Sequence, residues 1–240
     1  QDIFTMIELL KSIGLKTTIS KKNNLLEIVN TNRNINTVAP YKLVKTMRAG
    51  VLVLGPLLAR YKNAKISLPG GCAIGTRPVD LHLFALKKLG AKIKIKNGYI
   101  IAEAKSGLKG TNITFPNISV GATENAILAA FKAKGKTILS NCAIEPEILN
   151  LISFLNNLGG DIKISGRKIV IIGCQSVKEV ITHNIIFDRI ELGTYMIAAA
   201  LVGKKIILNN VDTQIVKNDI KLLKKMGVKI TSKKSSIEIL

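Results

Sequence analysis

Phe84-Ala-Leu-Lys-Lys-Leu-Gly90-Ala-Lys-Ile-Lys-Ile-Lys96-Asn-Gly98-Tyr-Ile-Ile-Ala102 reads as three features in a row. A helix ends on Leu89, Gly90 caps it, and two short strands turn at Asn97-Gly98. The same order recurs along the chain. Phe154-Leu-Asn-Asn-Leu-Gly159 leads into Asp161 to Ile164, Gly166 and Lys168 to Ile172. Leu222-Leu-Lys-Lys-Met-Gly227 leads into Lys229 to Thr231 and Ser236 to Ile239. At the start, apolar residues at helical spacing from Ile3 to Ile13 precede Gly14, then Lys16 to Ser20, Lys21-Lys-Asn-Asn24 and Leu25 to Val29. The capping glycines are separated by 76 (14 to 90), 69 (90 to 159) and 68 (159 to 227) residues. A period near 70 marks an internal repeat.

The other half of each unit recurs as well. Lys45 to Tyr61, Thr123 to Lys132 and Arg189 to Val202 carry small-residue-rich helical patterns. Each precedes a short strand: Lys65 to Leu68, Lys136 to Leu139 and Lys204 to Leu208. The unit reads β-α-β-α-β-β, which predicts an α/β (α+β) fold of about three and a half units. The first copy has only its second half, and three whole copies follow. The chain opens on Gln1, directly in helical pattern, so the expectation is that it starts partway into a longer protein. A fourth unit without its sisters is expected to leave Ile197, Leu201 and Ile207 under-buried.

The repeat isolates one anomaly. Leu68-Pro-Gly-Gly-Cys72-Ala-Ile-Gly-Thr-Arg77-Pro-Val-Asp80-Leu-His82 links the strand and helix of the second unit. From strand isoleucine to capping glycine this unit spans 24 residues (66 to 90). The third (138 to 159) and fourth (206 to 227) span 21 each. The sister loops, Ser140-Asn-Cys-Ala-Ile-Glu145-Pro and Asn209-Asn-Val-Asp-Thr213, contain no glycine. Gly70, Gly71 and Gly75 permit close approach of a ligand to the backbone. A thiol beside a guanidinium suits a reactive thiolate and an anion. The plainer alternative is a surface turn with an inert cysteine. An insertion confined to one copy of a repeat favours function over packing.

Other candidates sit at helix starts. Arg48 lies near the start of the second unit's first helix, and Ser119-Val-Gly121-Ala-Thr123-Glu-Asn125 opens its counterpart in the third, with Thr123 as the expected cap. Asp188-Arg189 opens the helix of the fourth. Under near-threefold symmetry these starts share one end of a domain, and Arg48, Arg77 and the Ser119 to Gly121 backbone surround an anion. Solvated surface charge and an ordinary cap are the alternatives. Asp80, Glu145 and Glu147 read as caps or first-turn carboxylates. Cys142 and Cys174 read as core thiols, and His82 as structural. Three cysteines and two histidines fit no zinc spacing, so no metal and no cofactor is expected.

With 36 Lys+Arg against 15 Asp+Glu, the chain carries a net charge of +21. That balance invites a nucleic-acid reading. The lysines are spread through every segment, and aromatics make up only 4 % with no Trp, so stacking platforms are scarce. Small anionic substrates fit the charge. The competing class is a basic, catalytically silent repeat protein that binds nucleic acid or a partner. No apolar run reaches the roughly 18 residues of a membrane helix. Nothing at the start reads as a secretory signal, and the cysteines read as reduced thiols of a cytoplasmic protein.

At these residues the chain resembles the UDP-N-acetylglucosamine enolpyruvyl transferases (1-carboxyvinyltransferases), relatives of enolpyruvylshikimate-phosphate synthase. The resemblance rests on Tyr41-Lys-Leu-Val-Lys-Thr-Met-Arg-Ala49, Ser67 to His82, Ser119 to Asn125, Glu145-Pro-Glu147 and Asp188-Arg-Ile-Glu-Leu-Gly-Thr194. It implies an inside-out α/β barrel of two three-unit domains. Residues 1–186 would be most of one domain, with the Cys loop, and residues 187–240 one unit of the other. The implied reaction moves the enolpyruvyl group of phosphoenolpyruvate to the 3′-hydroxyl of UDP-N-acetylglucosamine and releases phosphate, the first committed step of peptidoglycan synthesis. Cys72 falls on the family's proton donor, which also holds phosphoenolpyruvate covalently and is alkylated by fosfomycin. Arg48 and Arg77 fall on anion-binding arginines. Pro78, Val79, Asp80, Leu81, Ser119, Val120 and Gly121 fall on nucleotide-sugar contacts. Asn117 stands at a diphosphate contact where members often have lysine, and Ile144 where arginine commonly precedes Glu-Pro-Glu. The family has about twice as many units. Its N-terminal lysine–asparagine pair, general-base aspartate and second phosphate-binding arginine have no counterpart here, so this chain alone is expected not to turn over. Neither nucleic acid nor membrane is an expected partner.

Overall fold

The computed structural model describes residues 2–20, 22–30, 35–70, 78–203 and 205–240. By contacts it divides into two compact units, residues 1–183 and 184–240. The first begins with α1 (Asp2–Ser12), β1 (Lys16–Ser20) and β2 (Leu25–Val29). Then come β3 (Val38–Ala39), α2 (Tyr41–Val44), a 3₁₀ segment (Arg48–Val53), α3 (Leu54–Tyr61), β4 (Asn63–Ser67), α4 (Asp80–Lys88), β5 (Lys92–Lys96) and β6 (Tyr99–Glu103). The next copy is β7 (Asn112–Thr114), α5 (Val120–Ala130), β8 (Lys136–Ser140), α6 (Pro146–Asn157), β9 (Asp161–Ser165) and β10 (Lys168–Ile172).

The two full copies build the same sheet. Strand order is β3-β4-β6-β5 in one and β7-β8-β10-β9 in the other. In each the first pair is parallel and the remaining pairs antiparallel. A parallel pair needs a crossover, supplied here by α2–α3 and by α5. The four glycines expected as caps all adopt left-handed backbone, with φ of 102°, 99°, 103° and 95° at Gly14, Gly90, Gly159 and Gly227. After each, the next residue's N–H reaches back five positions, from Leu15 to Leu10, Ala91 to Leu86, Gly160 to Leu155 and Val228 to Leu223. This is the Schellman closure, which an L-residue with a β-carbon resists. Asn97 and Gly98, both at positive φ, turn the β5–β6 hairpin.

Helix α5 lies at the centre of the first unit. Seven of its eleven residues are buried, among them Thr123 and Asn125. It packs against α3, α4, α6 and the 3₁₀ segment. Small residues all round allow that closeness, as expected of a helix buried on every side. At Gly55 on α3, a β-carbon would lie 2.7 Å from the Asn125 carbonyl oxygen and nearer still to its side-chain oxygen. Glycine is required there for α3 to seat on α5. Three expectations are corrected. The pattern from Lys45 to Tyr61 is not one helix but a 3₁₀ segment followed by α3. Ser119, and not Thr123, caps α5, because the helix starts at Val120. The last copy shows no first strand among the described residues.

That last copy forms the second unit: α7 (Arg189–Val202), β11 (Ile206–Asn209), α8 (Lys217–Lys225), β12 (Ile230–Lys233) and β13 (Ser236–Ile239). Its sheet is β11-β13-β12, and its own core includes Leu192, Met196, Ala199, Ile220, Ile237 and Ile239. Asp188 caps α7, its Oδ1 accepting from the Ile190 and Glu191 amides at 2.8 and 3.1 Å. Ile197, Leu201 and Ile207 are 54 %, 82 % and 50 % exposed, as expected for this unit. Among the described residues no helix is long and apolar enough to cross a membrane.

Candidate functional site

The Cys loop leaves β4 at Ser67 and rejoins the described chain at Pro78, just ahead of α4. Cys72 and Arg77 lie outside the described residues, so the candidate site is built from their neighbours. Gly70 presses on the Lys45 segment: a β-carbon there would lie 2.7 Å from the Lys45 carbonyl oxygen. The loop thus departs beside the stretch that carries Arg48. On its other side, Val79 is buried, Leu81 half-buried, and Pro78 and Asp80 exposed. Asp80 is the first residue of α4 and bears its negative charge where the helix dipole favours it.

Ser119 to Gly121 lie at the start of α5. Ser119 Oγ accepts from the Ala122 amide at 3.3 Å. Thr123 Oγ1 donates to the Ser119 carbonyl at 2.7 Å and accepts from the Ala143 amide at 3.2 Å, tying the cap to the loop before α6. Asn117 is exposed just ahead of the cap. Arg48 is exposed at the head of the 3₁₀ segment.

A buried polar cluster joins these three segments. Asn125 Oδ1 accepts from the Gly55 amide at 2.8 Å. Its Nδ2 donates to the Val51 carbonyl at 3.2 Å and lies 3.2 Å from His82 Nδ1. His82, on α4, is buried, and a β-carbon at Gly121 would sit 3.2 Å from its Cε1. Burial first, and then the nearby Arg48 guanidinium, lower the His82 pKa to about 4 against the opposing Asp80 charge. His82 is therefore neutral near pH 7. The expectation that it is structural agrees with this placement.

The cluster makes the Arg48 turn, the α4 start and the α5 start neighbours at one end of the unit. An exposed guanidinium and a helix N-terminus are groups that can bind an anion. Glu145 takes the Ncap position of α6 but makes no side-chain cap; its Oε2 accepts from the Ile144 amide at 2.8 Å. Glu147 lies in the first turn of α6. Glu124, half-buried on α5, has a pKa pushed up to about 7, by burial first and then by the Glu147 charge. Glu124 and Asn125 had no assigned role in the sequence. The signal was present: polar residues inside a helix that is apolar on every side need partners. Cys142 and Cys174 are buried, and burial pushes the Cys142 thiol up to about 12. Cys174 Sγ donates to the Ser176 carbonyl at 2.8 Å. Both are core thiols, as expected. Among the described residues no cluster of His, Cys, Asp and Glu could hold a metal ion.

Comparison with known proteins gives the family of the chain. The profile of EPSP synthase (3-phosphoshikimate 1-carboxyvinyltransferase) matches residues 1–240. The UDP-N-acetylglucosamine 1-carboxyvinyltransferase of Pelagibacter ubique is 55 % identical over 240 residues, all of this chain and 57 % of its own. That of Vesicomyosocius okutanii is 49 % identical over 238 residues, 98 % of this chain and 56 % of its own. That of Rickettsia bellii is 47 % identical over 99 % of this chain and 57 % of its own. The chain thus spans a little over half the length of these relatives. In fold it is similar to the enolpyruvyl transferase NikO from Streptomyces tendae, with TM-score 0.81 at 18 % identity over 98 % of this chain and 56 % of that one. It is also similar to EPSP synthase from Acinetobacter baumannii, with TM-score 0.70 at 18 % identity over the same shares. A profile match along its whole length, with these relatives, makes this chain a member of the EPSP synthase (3-phosphoshikimate 1-carboxyvinyltransferase) family.

Proposed function

We propose that the chain carries the Cys-loop side of an active site that transfers the enolpyruvyl group of phosphoenolpyruvate to the 3′-hydroxyl of UDP-N-acetylglucosamine. The observation that carries this reading is the shared name of relatives 47 to 55 % identical over essentially the whole chain. The step makes one C–O bond to the sugar and breaks one to phosphate, which departs. Cys72 protonates the substrate methylene as the hydroxyl oxygen bonds to the adjacent carbon. The methyl group so formed gives up a proton as phosphate leaves, restoring the alkene, with the hydroxyl proton departing on phosphate. The Arg77 charge, five positions along the chain, favours an exchangeable thiol proton. Arg48 and Arg77 bind anionic groups. Pro78 to Leu81, Asn117 and Ser119 to Gly121 hold the nucleotide sugar, with helix N–H groups on its diphosphate. The process served is peptidoglycan synthesis in the cytoplasm, and through it cell shape and division.

Two sheets of identical order around central α5 support an inside-out barrel of three-unit domains. In it, residues 1–186 belong to one domain and residues 187–240 to the other. The test is calorimetric titration of the 240-residue chain with UDP-N-acetylglucosamine. Saturable binding is expected, weakened about tenfold by Arg48→Ala through loss of a charge-assisted contact. No binding of the nucleotide sugar, together with steeply salt-dependent binding of nucleic acid, would overturn the reading.

A further inference from the structure

We propose that Asn125 is a positioning residue: its amide fixes the tautomer of His82 and locks the Arg48 turn, the α4 start and the α5 start into one arrangement. This rests on the function proposed above for the site, but its structural content does not. The orientation of the Asn125 amide follows from its partners. The Gly55 amide can only donate, so the atom facing it at 2.8 Å is the side-chain oxygen. The nitrogen then faces both the Val51 carbonyl and His82 Nδ1, each at 3.2 Å, and has one N–H for each. His82 Nδ1 must accept, so the single ring proton sits on Nε2. With Asn125 and His82 both buried, no alternative donor from solvent replaces the amide.

Two of these contacts reach segments that carry candidate site residues, and the His82 ring reaches a third. Val51 lies in the 3₁₀ segment headed by Arg48. His82 lies in the first turn of α4, directly after Pro78 to Leu81. The His82 ring abuts Gly121 at the head of α5, where a β-carbon would lie 3.2 Å from Cε1 and 3.4 Å from Nε2. One buried amide thus fixes how an arginine, a loop exit and a helix start face one another. Asn125 touches none of the groups proposed to bind ligand and acts through His82 and the backbone. The Arg48 and Asp80 charges act on the ring from the flanking segments.

The discriminating substitution is Asn125→Asp. A carboxylate still accepts from the Gly55 amide but cannot donate to Val51 or to His82 Nδ1. His82 must then carry a proton on Nδ1. Nitrogen-detected NMR of the imidazole reads this without any ligand. The unsubstituted chain is expected to show a neutral ring protonated at Nε2, and Asn125→Asp a ring protonated at Nδ1. An Nδ1–H ring in the unsubstituted chain overturns the proposal whatever the ligand does. Binding of UDP-N-acetylglucosamine to the unsubstituted chain is the separate control on the functional reading. Its absence counts against that reading and leaves the ring state as the test of the positioning claim. With binding present, Asn125→Asp is expected to weaken it about tenfold, the loss expected for breaking one buried hydrogen bond. An altered ring with unaltered affinity overturns the proposal. If Asn125→Asp does not fold, His82→Leu and His82→Gln replace it. Gln offers an acceptor to Asn125, so it is expected to recover most of the affinity that Leu loses; equal losses in both overturn the proposal.

Discussion

His82 and Glu124 face opposite electrostatic costs on neighbouring helices. His82 has a folded pKa near 4 against 6.5 for the free side chain. Between those values the unfolded chain binds a proton that the native state refuses, so stability falls as pH drops from 6.5 to 4. Its full span is roughly 3 kcal/mol. Glu124 runs the other way. Its folded value near 7 lies above the free value of 4.5, so stability falls as pH rises from 4.5 to 7. Glu124→Gln removes that penalty. It is expected to stabilise the protein at pH 8 by about 1 kcal/mol, after discounting for solvent screening of a half-buried carboxyl. It should have little effect at pH 4. Chemical denaturation of both proteins at the two pH values checks this, and equal effects at both would refute the assignment.

At the scale of elements, α3 and α5 meet through Gly55. Gly55→Ala forces a methyl group against the Asn125 carbonyl and side-chain oxygen and is expected to destabilise by about 1–3 kcal/mol in a urea melt. The repeated helix–glycine–hairpin units were legible in the sequence because positive φ demands glycine and two-residue turns demand Asn-Gly or its like. The break between the 3₁₀ segment and α3 was not legible, because apolar spacing from Lys45 to Tyr61 suits either geometry. Nor was the role of Asn125. Its partners lie 43, 70 and 74 positions away, and only the packed fold brings them within hydrogen-bond reach. Thr123 was the expected cap, but α5 begins at Val120 and so Ser119 caps it. The Cys loop was legible as an insertion and as a family signature, and Gly70 and Pro78 place its two ends beside Lys45 and α4.

At the scale of the whole molecule, a strongly basic chain of two compact units carries apolar residues outward on the second. Ile190, Leu201 and Val202 of α7 are 66 %, 82 % and 64 % exposed, whereas Met196 on the same helix is fully buried. Leu201→Glu is therefore expected to change stability by less than about 0.5 kcal/mol and to raise solubility. Met196→Ala is expected to cost about 2–5 kcal/mol. Thermal melts and a precipitation assay separate the two, and a costly Leu201→Glu would show that this face is covered.

The central claim is that Cys72 is the reactive thiol of an enolpyruvyl-transfer site, and it has a direct measurement. The chain is incubated with fosfomycin and UDP-N-acetylglucosamine, digested and mapped by mass spectrometry. Cys142 and Cys174 are buried, and Cys142 holds its proton far above neutral pH, so both should stay unmodified. A single adduct on Cys72 is the predicted result. An unmodified Cys72, or equal modification of all three thiols, would contradict the account.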